Sequence, residues 1–177
     1  MKLDGKKVLM VIPHTQFRDE EFFEPKKVLE EEGAEIVVAS TTARICRGMK
    51  GGVARAEIAI ADAKADDYAA IVLCGGSSVP EFLWNDKKLQ ELVTAMSTAG
   101  KVVAAICLST VVLAKAKLLT GREATVYFLP EAIDALKEGG ATYVKETLII
   151  HNNNIILAEG PPDSQRFGQA IRSALAG

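Results

Sequence analysis

Four short apolar runs without polar alternation constrain this chain more than any other feature. They are residues 7–12 (KVLMVI), 35–40 (EIVVAS), 69–74 (AAIVLC) and 101–106 (KVVAAI), and all are rich in β-branched or small apolar residues. Runs of this kind are typical of parallel strands covered on both faces, because neither face of such a sheet meets water. We therefore expect an α/β fold in which these four runs form parallel strands of one sheet.

The segments between these runs predict helices that cross from one strand to the next. Residues 20–33 (EEFFEPKKVLEEEG) start acidic, with Pro25 expected in the first turn and Gly33 at the C-terminal end. Residues 85–100 carry an apolar stripe at helical spacing, formed by Leu89, Leu92, Val93 and Met96. Each run followed by such a helix makes a βαβ unit.

The rest of the chain continues the same organisation without a linker. Helices are expected over residues 108–118 and 130–140, and residues 41–61 are interpreted as a strand-and-turn excursion. TLII and IILA flank residues 151–154 as a β-hairpin, and Asp163 or Ser164 is expected to cap a last helix. We therefore expect residues 1–177 to form one domain.

Composition excludes several classes of protein. The 177 residues carry 21 Lys and Arg against 23 Asp and Glu, a net charge of −2, which does not favour nucleic acid or an anionic membrane as a partner. No apolar run approaches the roughly 20 residues that span a bilayer. Three cysteines do not form the even framework of a small secreted scaffold, so we expect a cytoplasmic protein.

Residues suited to chemistry follow three of the predicted strands. In an open parallel sheet, ligands bind beyond the carboxyl ends of the strands. His14 and the acidic cluster at 19–21 follow the first run, and Gly75-Gly76-Ser77-Ser78 follows the third. Acidic side chains near a helix N-terminus also complement its dipole, which accounts for any two of that cluster without a catalytic role.

Cys107 follows the fourth run directly, with small residues two positions away on each side. This spacing is typical of a nucleophile elbow, a tight strand-to-helix turn that projects a reactive side chain. The following helix N-terminus is expected to favour the thiolate and lower the pKa of the cysteine. Cys46 and Cys74 are interpreted as packing residues.

The two histidines do not suggest a metal site. Structural zinc usually takes four Cys or His ligands, and His14 and His151 are the only histidines. We interpret His151 as a solvated residue of the hairpin turn, and His14 as a residue at a strand end that takes no part in catalysis. No metal and no cofactor is expected.

Taken together, these residues resemble the ThiJ/PfpI superfamily, which includes the Parkinson-associated deglycase, glyoxalase III-type enzymes and intracellular proteases. The resemblance runs nearly end to end. It rests on VLMVI…FRDEEFFEP, on IVLCGG, on AAIC and on the tail EGPPDSQRFGQAI. It implies a flavodoxin-like, doubly wound parallel sheet sandwiched by helices, of the class I glutamine amidotransferase type, and a homodimer.

The resemblance also implies roles for individual residues. Cys107 matches the reactive cysteine, and Glu21, four residues before Pro25, matches a protonated glutamate that hydrogen-bonds to the sulfur. The backbone N–H groups of Gly76 and Leu108 match the oxyanion-hole donors. This chain departs from the family at Leu108, where the protease-like branch has histidine, so the usual Cys–His pair is missing.

Other departures concern the expected pocket rim. Tyr127 and Phe128 stand where the deglycase-like branch has His-Pro, and Arg18 and Glu159 stand where the family often has an acid and an arginine. We take His14, Arg18, Tyr127 and Glu159 as candidate pocket residues. Arg18 and Glu159 are hypothesised to form a charge-reversed pair.

Three functions remain open from the sequence. The first is an enzyme acting on small reactive carbonyls, in which Cys107 adds to an aldehyde and Glu21 moves the proton. The second is a non-catalytic, redox-responsive stress protein whose Cys107 oxidises to sulfinate. The third is an intracellular cysteine peptidase or amidase, which rests on the fold alone.

Overall fold

A computed structural model describes every residue from Met1 to Gly177. The strands, β1 to β12 in chain order, are Lys7–Val11, Thr15–Phe17, Glu35–Ser40, Ile45–Gly48, Val53–Arg55, Ile58–Ala59, Ala70–Leu73, Val102–Ile106, Glu123–Ala124, Thr142–Tyr143, Leu148–His151 and Ile155–Ala158. The helices, α1 to α6, are Asp19–Glu31, Val79–Phe82, Lys87–Thr98, Thr110–Lys115, Pro130–Glu138 and Ser164–Ala176. Single 3-10 turns occur at Ile60–Asp62, Ala65–Asp67, Cys107–Ser109 and Pro161–Asp163.

A seven-stranded sheet, in the order β11-β12-β8-β7-β1-β3-β6, forms the centre of the molecule. All neighbours pair in parallel except β11 and β12, which form the expected antiparallel hairpin. The four runs identified in the sequence are the adjacent strands β8, β7, β1 and β3, and each boundary agrees within one residue. The mostly parallel sheet flanked by helices is the flavodoxin-like architecture expected from the sequence.

Helices α1 and α6 pack against each other at a point of close backbone approach. A Cβ atom on Gly168 would lie 2.8 Å from the Cα of Pro25, so only glycine allows α6 to cross α1 there. Pro25 is the seventh residue of α1, and the expectation that it lies in the first turn is wrong. The helix starts earlier, at Asp19, and Pro25 leaves the carbonyl of Glu21 without its helical donor.

The apolar stripe of α3 is buried as predicted. Asp86 caps this helix by accepting a 3.0 Å hydrogen bond from the N–H of Leu89. Neither Asp163 nor Ser164 caps α6 in this way, which corrects that expectation; the hydroxyl of Ser164 instead donates to the carbonyl of Pro161 at 2.8 Å.

Residues 41–61 form the expected excursion, but no pattern in the sequence predicts β2, the strand with which β4 pairs. β2 pairs in parallel with β4, and β4 pairs antiparallel with β5. Asp19 fixes the turn between β4 and β5 by accepting hydrogen bonds from the N–H groups of Lys50 (2.9 Å) and Gly52 (2.8 Å). No helix of the chain combines the length and the apolarity that crossing a bilayer requires.

Candidate functional site

Cys107 lies in a tight turn directly after β8. Its φ of +63° is left-handed, a conformation that non-glycine residues rarely adopt and that is typical of a nucleophile elbow. The neighbouring Ser109 locks this turn to β7, because its buried hydroxyl donates to the carbonyl of Cys74 at 2.6 Å. Cys107 as a whole residue is 6% exposed, whereas Cys46 and Cys74 are fully buried.

Glu21 reaches the elbow from the first turn of α1 and is completely buried. Gly75 marks the point at which it meets the cysteine. A Cβ atom on Gly75 would collide with Oε1 of Glu21 and would lie 2.7 Å from Cβ and 3.2 Å from Sγ of Cys107. Glycine at this position therefore leaves the space that the carboxyl group and the sulfur share.

The electrostatics of this pair are set mainly by burial. Burial raises the pKa of Glu21 to about 8, although the Cys107 thiol, the Arg18 charge and the Gly75 N–H partly oppose it. Both carboxyl oxygens are inaccessible to solvent and lack a hydrogen bond of regular geometry. A carboxyl group in this setting is protonated at neutral pH.

Burial also raises the pKa of Cys107 above its ordinary value, and the charge of Glu21 raises it further. The Leu108 N–H beside the sulfur acts in the opposite direction. The expectation that a helix N-terminus lowers this pKa is therefore wrong in its net direction. The physical reason is that α4 starts only at Thr110 and is six residues long, so desolvation dominates over the helix dipole.

Gly76 contributes a backbone N–H at the same edge of the sheet. Its φ is +144°, and a Cβ atom there would collide with the carbonyl of Gln16 and approach the Cα of Phe17 to 2.7 Å. The N–H of Gly76 has no acceptor within the protein. Gly76 and Leu108 therefore both offer N–H groups next to the Gly75 turn and the elbow.

The acidic cluster after β1 divides into three separate roles. Asp19 holds the β4–β5 turn, and Glu20 pairs with Arg18 and with Lys50, both at 3.0 Å. Burial opposes the ionisation of Glu20, but hydrogen bonds from these two cations lower its pKa to about 2. Only Glu21 is turned into the buried site.

The predicted ion pair between Arg18 and Glu159 is wrong. The guanidinium of Arg18 binds Glu20 through both Nε and Nη2, and no cation lies within 4.0 Å of Glu159. A partner two residues away along the chain is within reach regardless of the tertiary fold. Glu159 instead lies near Tyr143, whose pKa rises through burial and the charge of Glu159.

Neither histidine hydrogen-bonds to Cys107. The ring of His14 packs edge-on against Phe82 with centroids 4.5 Å apart, and its Nδ1 is buried without a partner. His151 ends β11, at the opposite edge of the sheet, and its Nε2 lies 2.7 Å from the carbonyl of Glu123. The interpretation of His151 as a solvated loop residue is therefore wrong.

Tyr127 and Phe128 lie beside the elbow on a segment that has no regular secondary structure. The N–H of Tyr127 donates to the carbonyl of Cys107 at 3.5 Å, and the Tyr127 ring lies over Gly160. Both rings are exposed, and the ammonium of Lys145 lies 5.8 Å from the centre of the Phe128 ring. Both rings therefore present exposed surface on a segment whose backbone is bonded to the elbow.

Sequence reasoning missed one side chain that contacts the elbow. The indole N–H of Trp84 donates a 2.8 Å hydrogen bond to the carbonyl of Leu108. Its only sequence signal is that it is the single tryptophan of the chain. The structure contains no cluster of three or more His, Cys, Asp or Glu side chains that could hold a metal ion.

A flavodoxin-like sandwich with a cysteine elbow and a buried carboxyl group beside it defines a class of α/β cysteine proteins. The sequence pattern of the DJ-1/PfpI family matches residues 6–174. The chain therefore belongs to the DJ-1/PfpI family.

The most similar relatives differ in what is known of them. An uncharacterized protein of Methanocaldococcus jannaschii is 47% identical over 98% of this chain and 84% of its own length. A deglycase of Pyrococcus abyssi is 31% identical over 82% of this chain and 86% of its own length. A putative cysteine protease of Bacillus subtilis is 31% identical over 92% of this chain and 95% of its own length.

A solved structure shares the whole architecture. The ThiJ/PfpI domain protein of Brachyspira murdochii superposes with a TM-score of 0.90 at 30% identity, covering 97% of this chain and 98% of its own. The family and its fold are thus established for the full chain. The relatives' names divide between deglycase and putative protease, and they do not fix one reaction.

Proposed function

We propose that the protein is a cysteine enzyme that acts on small reactive carbonyl compounds, with Cys107 as nucleophile and Glu21 as proton carrier. The observation that carries this proposal is the buried pair itself, in which the sulfur and a carboxyl group with a pKa near neutrality flank Gly75. A carboxyl group of this kind is suited to general acid–base catalysis at physiological pH. Relatives named deglycase add support.

The first step adds the thiol across the carbonyl group. The minor fraction of Glu21 that is ionised at neutral pH takes the proton of Cys107 while Sγ forms a bond to the aldehyde carbon. Negative charge then develops on the carbonyl oxygen, where the N–H groups of Gly76 and Leu108 would stabilise it. Glu21 returns the proton to that oxygen, and a neutral hemithioacetal results.

The later steps need only water as co-reactant. For a 2-oxoaldehyde, transfer of the C1 hydrogen to C2 converts the hemithioacetal into a thioester of a 2-hydroxy acid. Hydrolysis breaks the S–C bond and releases the acid, while the proton returns to the sulfur. Methylglyoxal and water therefore give lactate, with no external oxidant or reductant.

The accessibility of the sulfur favours small substrates. Cys107 is 6% exposed, and none of the five main surface depressions is lined by Cys107 or Glu21. A compact aldehyde can reach such an atom more readily than a folded peptide can. Three free thiols also fit a reducing compartment such as the cytoplasm.

A homodimer is part of the proposal. Four apolar side chains on α1 and the adjoining β4–β5 hairpin are exposed, namely Phe23, Ile45, Met49 and Val53. Apolar side chains grouped in this way are typical of protein interfaces. Sedimentation equilibrium tests the dimer, and a molecular mass of 18.9 kDa at micromolar concentration would contradict it.

The enzyme proposal is tested by incubating the protein with methylglyoxal and measuring lactate. Cys107→Ala and Glu21→Gln are expected to abolish turnover, whereas the matched control Cys46→Ala, a fully buried cysteine on β4, should retain it. Equal turnover by wild type and Cys107→Ala would exclude the mechanism.

A second candidate function follows from the differing accessibility of the three cysteines. Only Cys107 has any exposed surface, and the protonated Glu21 beside it could hydrogen-bond to an oxidised sulfur. Two equivalents of hydrogen peroxide would convert its thiol to sulfinate and release water. Peptide mapping after mild peroxide tests this role, and equal oxidation of Cys46, Cys74 and Cys107 would rule it out.

A peptidase receives less support, because no histidine hydrogen-bonds to Cys107.

A further inference from the structure

The elbow is held by a side chain from the segment that follows the two glycines. Gly76 starts this segment, α2 lies within it, and Trp84 ends it by donating its indole N–H to the carbonyl of Leu108 at 2.8 Å. The segment from Gly76 to Trp84 thus carries one candidate oxyanion donor, the Gly76 N–H. Through Trp84 it also binds Leu108, the residue that carries the other candidate donor.

Trp84 is itself fixed in place from both sides. Its backbone N–H donates to the carbonyl of Val79 at 3.2 Å, and its carbonyl accepts a 3.0 Å hydrogen bond from the side-chain amide of Gln90 on α3. The ring is half-buried and packs against the hydrophobic core. The two hydrogen bonds hold the backbone of Trp84 and core packing restrains its ring, so the indole can position a partner.

Both peptide groups that flank Leu108 are anchored. The carbonyl of the preceding peptide, at Cys107, accepts from the N–H of Tyr127 at 3.5 Å. The carbonyl of the following peptide accepts from Trp84, and this is the shorter bond. The Leu108 N–H belongs to the peptide that Tyr127 holds, and Trp84 holds the next peptide along the chain. Rotation of the Leu108 N–H beside Sγ is therefore limited from both sides of Leu108, and only the contact from Trp84 comes from a side chain.

We propose that Trp84 is a positioning residue. Its indole N–H fixes the Leu108–Ser109 peptide, which adjoins the peptide that carries the Leu108 N–H, and so limits how far that N–H can turn away from the reacting sulfur and the developing oxyanion. This inference rests on the proposed function for its effect on turnover. Its effect on the chemistry of Cys107 stands independently of any substrate.

The expected consequence follows from what a misplaced donor costs. Loss of an oxyanion donor typically lowers kcat by about 10² to 10³-fold, so a donor that is loosened rather than removed should cost about tenfold. Because this interaction strengthens only in the transition state, kcat should fall while KM stays unchanged. The Leu108 N–H also supports the thiolate, so its loosening should shift alkylation of Cys107 to higher pH.

The test compares Trp84→Phe, which keeps an aromatic ring and removes the donor, with Tyr68→Phe, a buried aromatic before the amino end of β7. The rate of Cys107 alkylation by iodoacetamide, which follows the thiolate fraction, is measured at each pH from 6 to 10, alongside kcat and KM for methylglyoxal. The charged groups that act on Cys107 are Glu21 and Arg18, and both stay in place in these variants. Trp84→Phe should lower kcat about tenfold and lower the alkylation rate at each pH, and Tyr68→Phe should do neither.

A second variant covers the case in which Trp84→Phe fails to fold. Gln90→Leu leaves the indole in place but removes the amide that holds the Trp84 carbonyl, and a smaller change in the same direction is expected.

In the wild type, alkylation of Cys107 should change the fluorescence of Trp84, the single tryptophan of the chain, and Cys107→Ala treated identically should show no change.

The outcomes separate this inference from the proposed function. If the wild type does not turn over methylglyoxal but Trp84→Phe lowers the rate of Cys107 alkylation, the positioning role holds and the substrate is wrong. If the wild type turns over methylglyoxal and a folded Trp84→Phe matches it in kcat and alkylation rate, the positioning role is overturned. An unchanged indole fluorescence after complete alkylation of Cys107 also counts against it.

Discussion

The carboxyl group of Glu21 and the sulfur of Cys107 flank one point in space, directly above the α-carbon of Gly75. Helix α1 carries Glu21, and the turn after β8 carries Cys107. The turn after β7 contains Gly75, whose missing side chain leaves space for both groups. Burial is the main influence on the pKa of both groups, and each group also acts on the pKa of the other. Their protons are therefore lost in coupled steps that belong to the pair.

Gly75→Ala is expected to separate this pair. The added methyl group would occupy the space beside Oε1 of Glu21 and lie 2.7 Å from Cβ of Cys107, which is closer than carbon atoms approach in proteins. A displacement of about 1 Å can cost about 10²-fold in rate, and we expect a loss of this size in methylglyoxal turnover.

Gly160→Ala is the matched control, because its methyl group would lie 3.6 Å from the Tyr127 ring, an ordinary contact, and its backbone is extended. This variant should keep wild-type turnover. A fully active Gly75→Ala protein would show that Glu21 and Cys107 do not need the geometry described.

Glu21 should make the stability of the fold decrease with rising pH. Burial raises its pKa from 4.5 to about 8, so the folded state retains a proton that the unfolded state loses. The stabilisation of the folded state by the Glu21 carboxyl group is complete below pH 4.5 and is lost as pH rises through about 8. Within that window, the free energy of unfolding should fall by up to about 1.4 kcal/mol per pH unit.

Chemical denaturation at pH 5 to 9 measures this dependence. Glu21→Gln should lose this part of the pH dependence and gain stability relative to the wild type at pH 9, since no buried carboxylate forms. Glu24→Gln, on the exposed side of the same helix, should retain the wild-type slope. If the slopes of wild type and Glu21→Gln coincide, the Glu21 carboxyl group is not desolvated.

Much of the fold could be predicted because its strands carry their own signal. The runs at β1, β3, β7 and β8 are apolar apart from Ser40 and the charged residues at three of their starts. Burial of most of their residues on both faces is the physical reason for both the pattern and the position. β2, β9 and β10 could not be predicted, since two or three residues are too few to show a period.

The position of the elbow could be predicted from the sequence, but the electrostatics of the candidate site could not. The spacing around Cys107 indicates an elbow, whereas the choice of Glu21 from its cluster came only from the family resemblance. The direction of the Cys107 pKa depends on desolvation, which arises from packing of α1 over the turn and leaves no mark in the local sequence.

Arg18 and Glu20 should show measurable coupling, and Arg18 and Glu159 should not. The first pair is joined at 3.0 Å and is about one-quarter exposed, which corresponds to roughly 0.5–1 kcal/mol for a partly shielded ion pair. A double-mutant cycle with Arg18→Met and Glu20→Gln should give this value from unfolding free energies. The same cycle with Glu159→Gln should be additive, and equal coupling in both cycles would contradict the pairing.

Asp19→Ala should loosen the β4–β5 turn without changing the chemistry of Cys107. The carboxylate accepts hydrogen bonds from two backbone N–H groups, at Lys50 (2.9 Å) and Gly52 (2.8 Å), and nothing else replaces it as an acceptor at the helix start. Loss of these bonds should cost about 1–3 kcal/mol of unfolding free energy, and Asp19→Asn, which keeps one acceptor oxygen, should cost less.

In Asp19→Ala, hydrogen exchange should accelerate at the amides of Lys50 and Gly52, while the pH dependence of Cys107 alkylation stays that of the wild type. Because Asp19 and Glu21 are only two residues apart, an altered alkylation profile in Asp19→Ala would mean that the turn and the buried pair are not independent, and that α1 shifts as one body when its first residue is released.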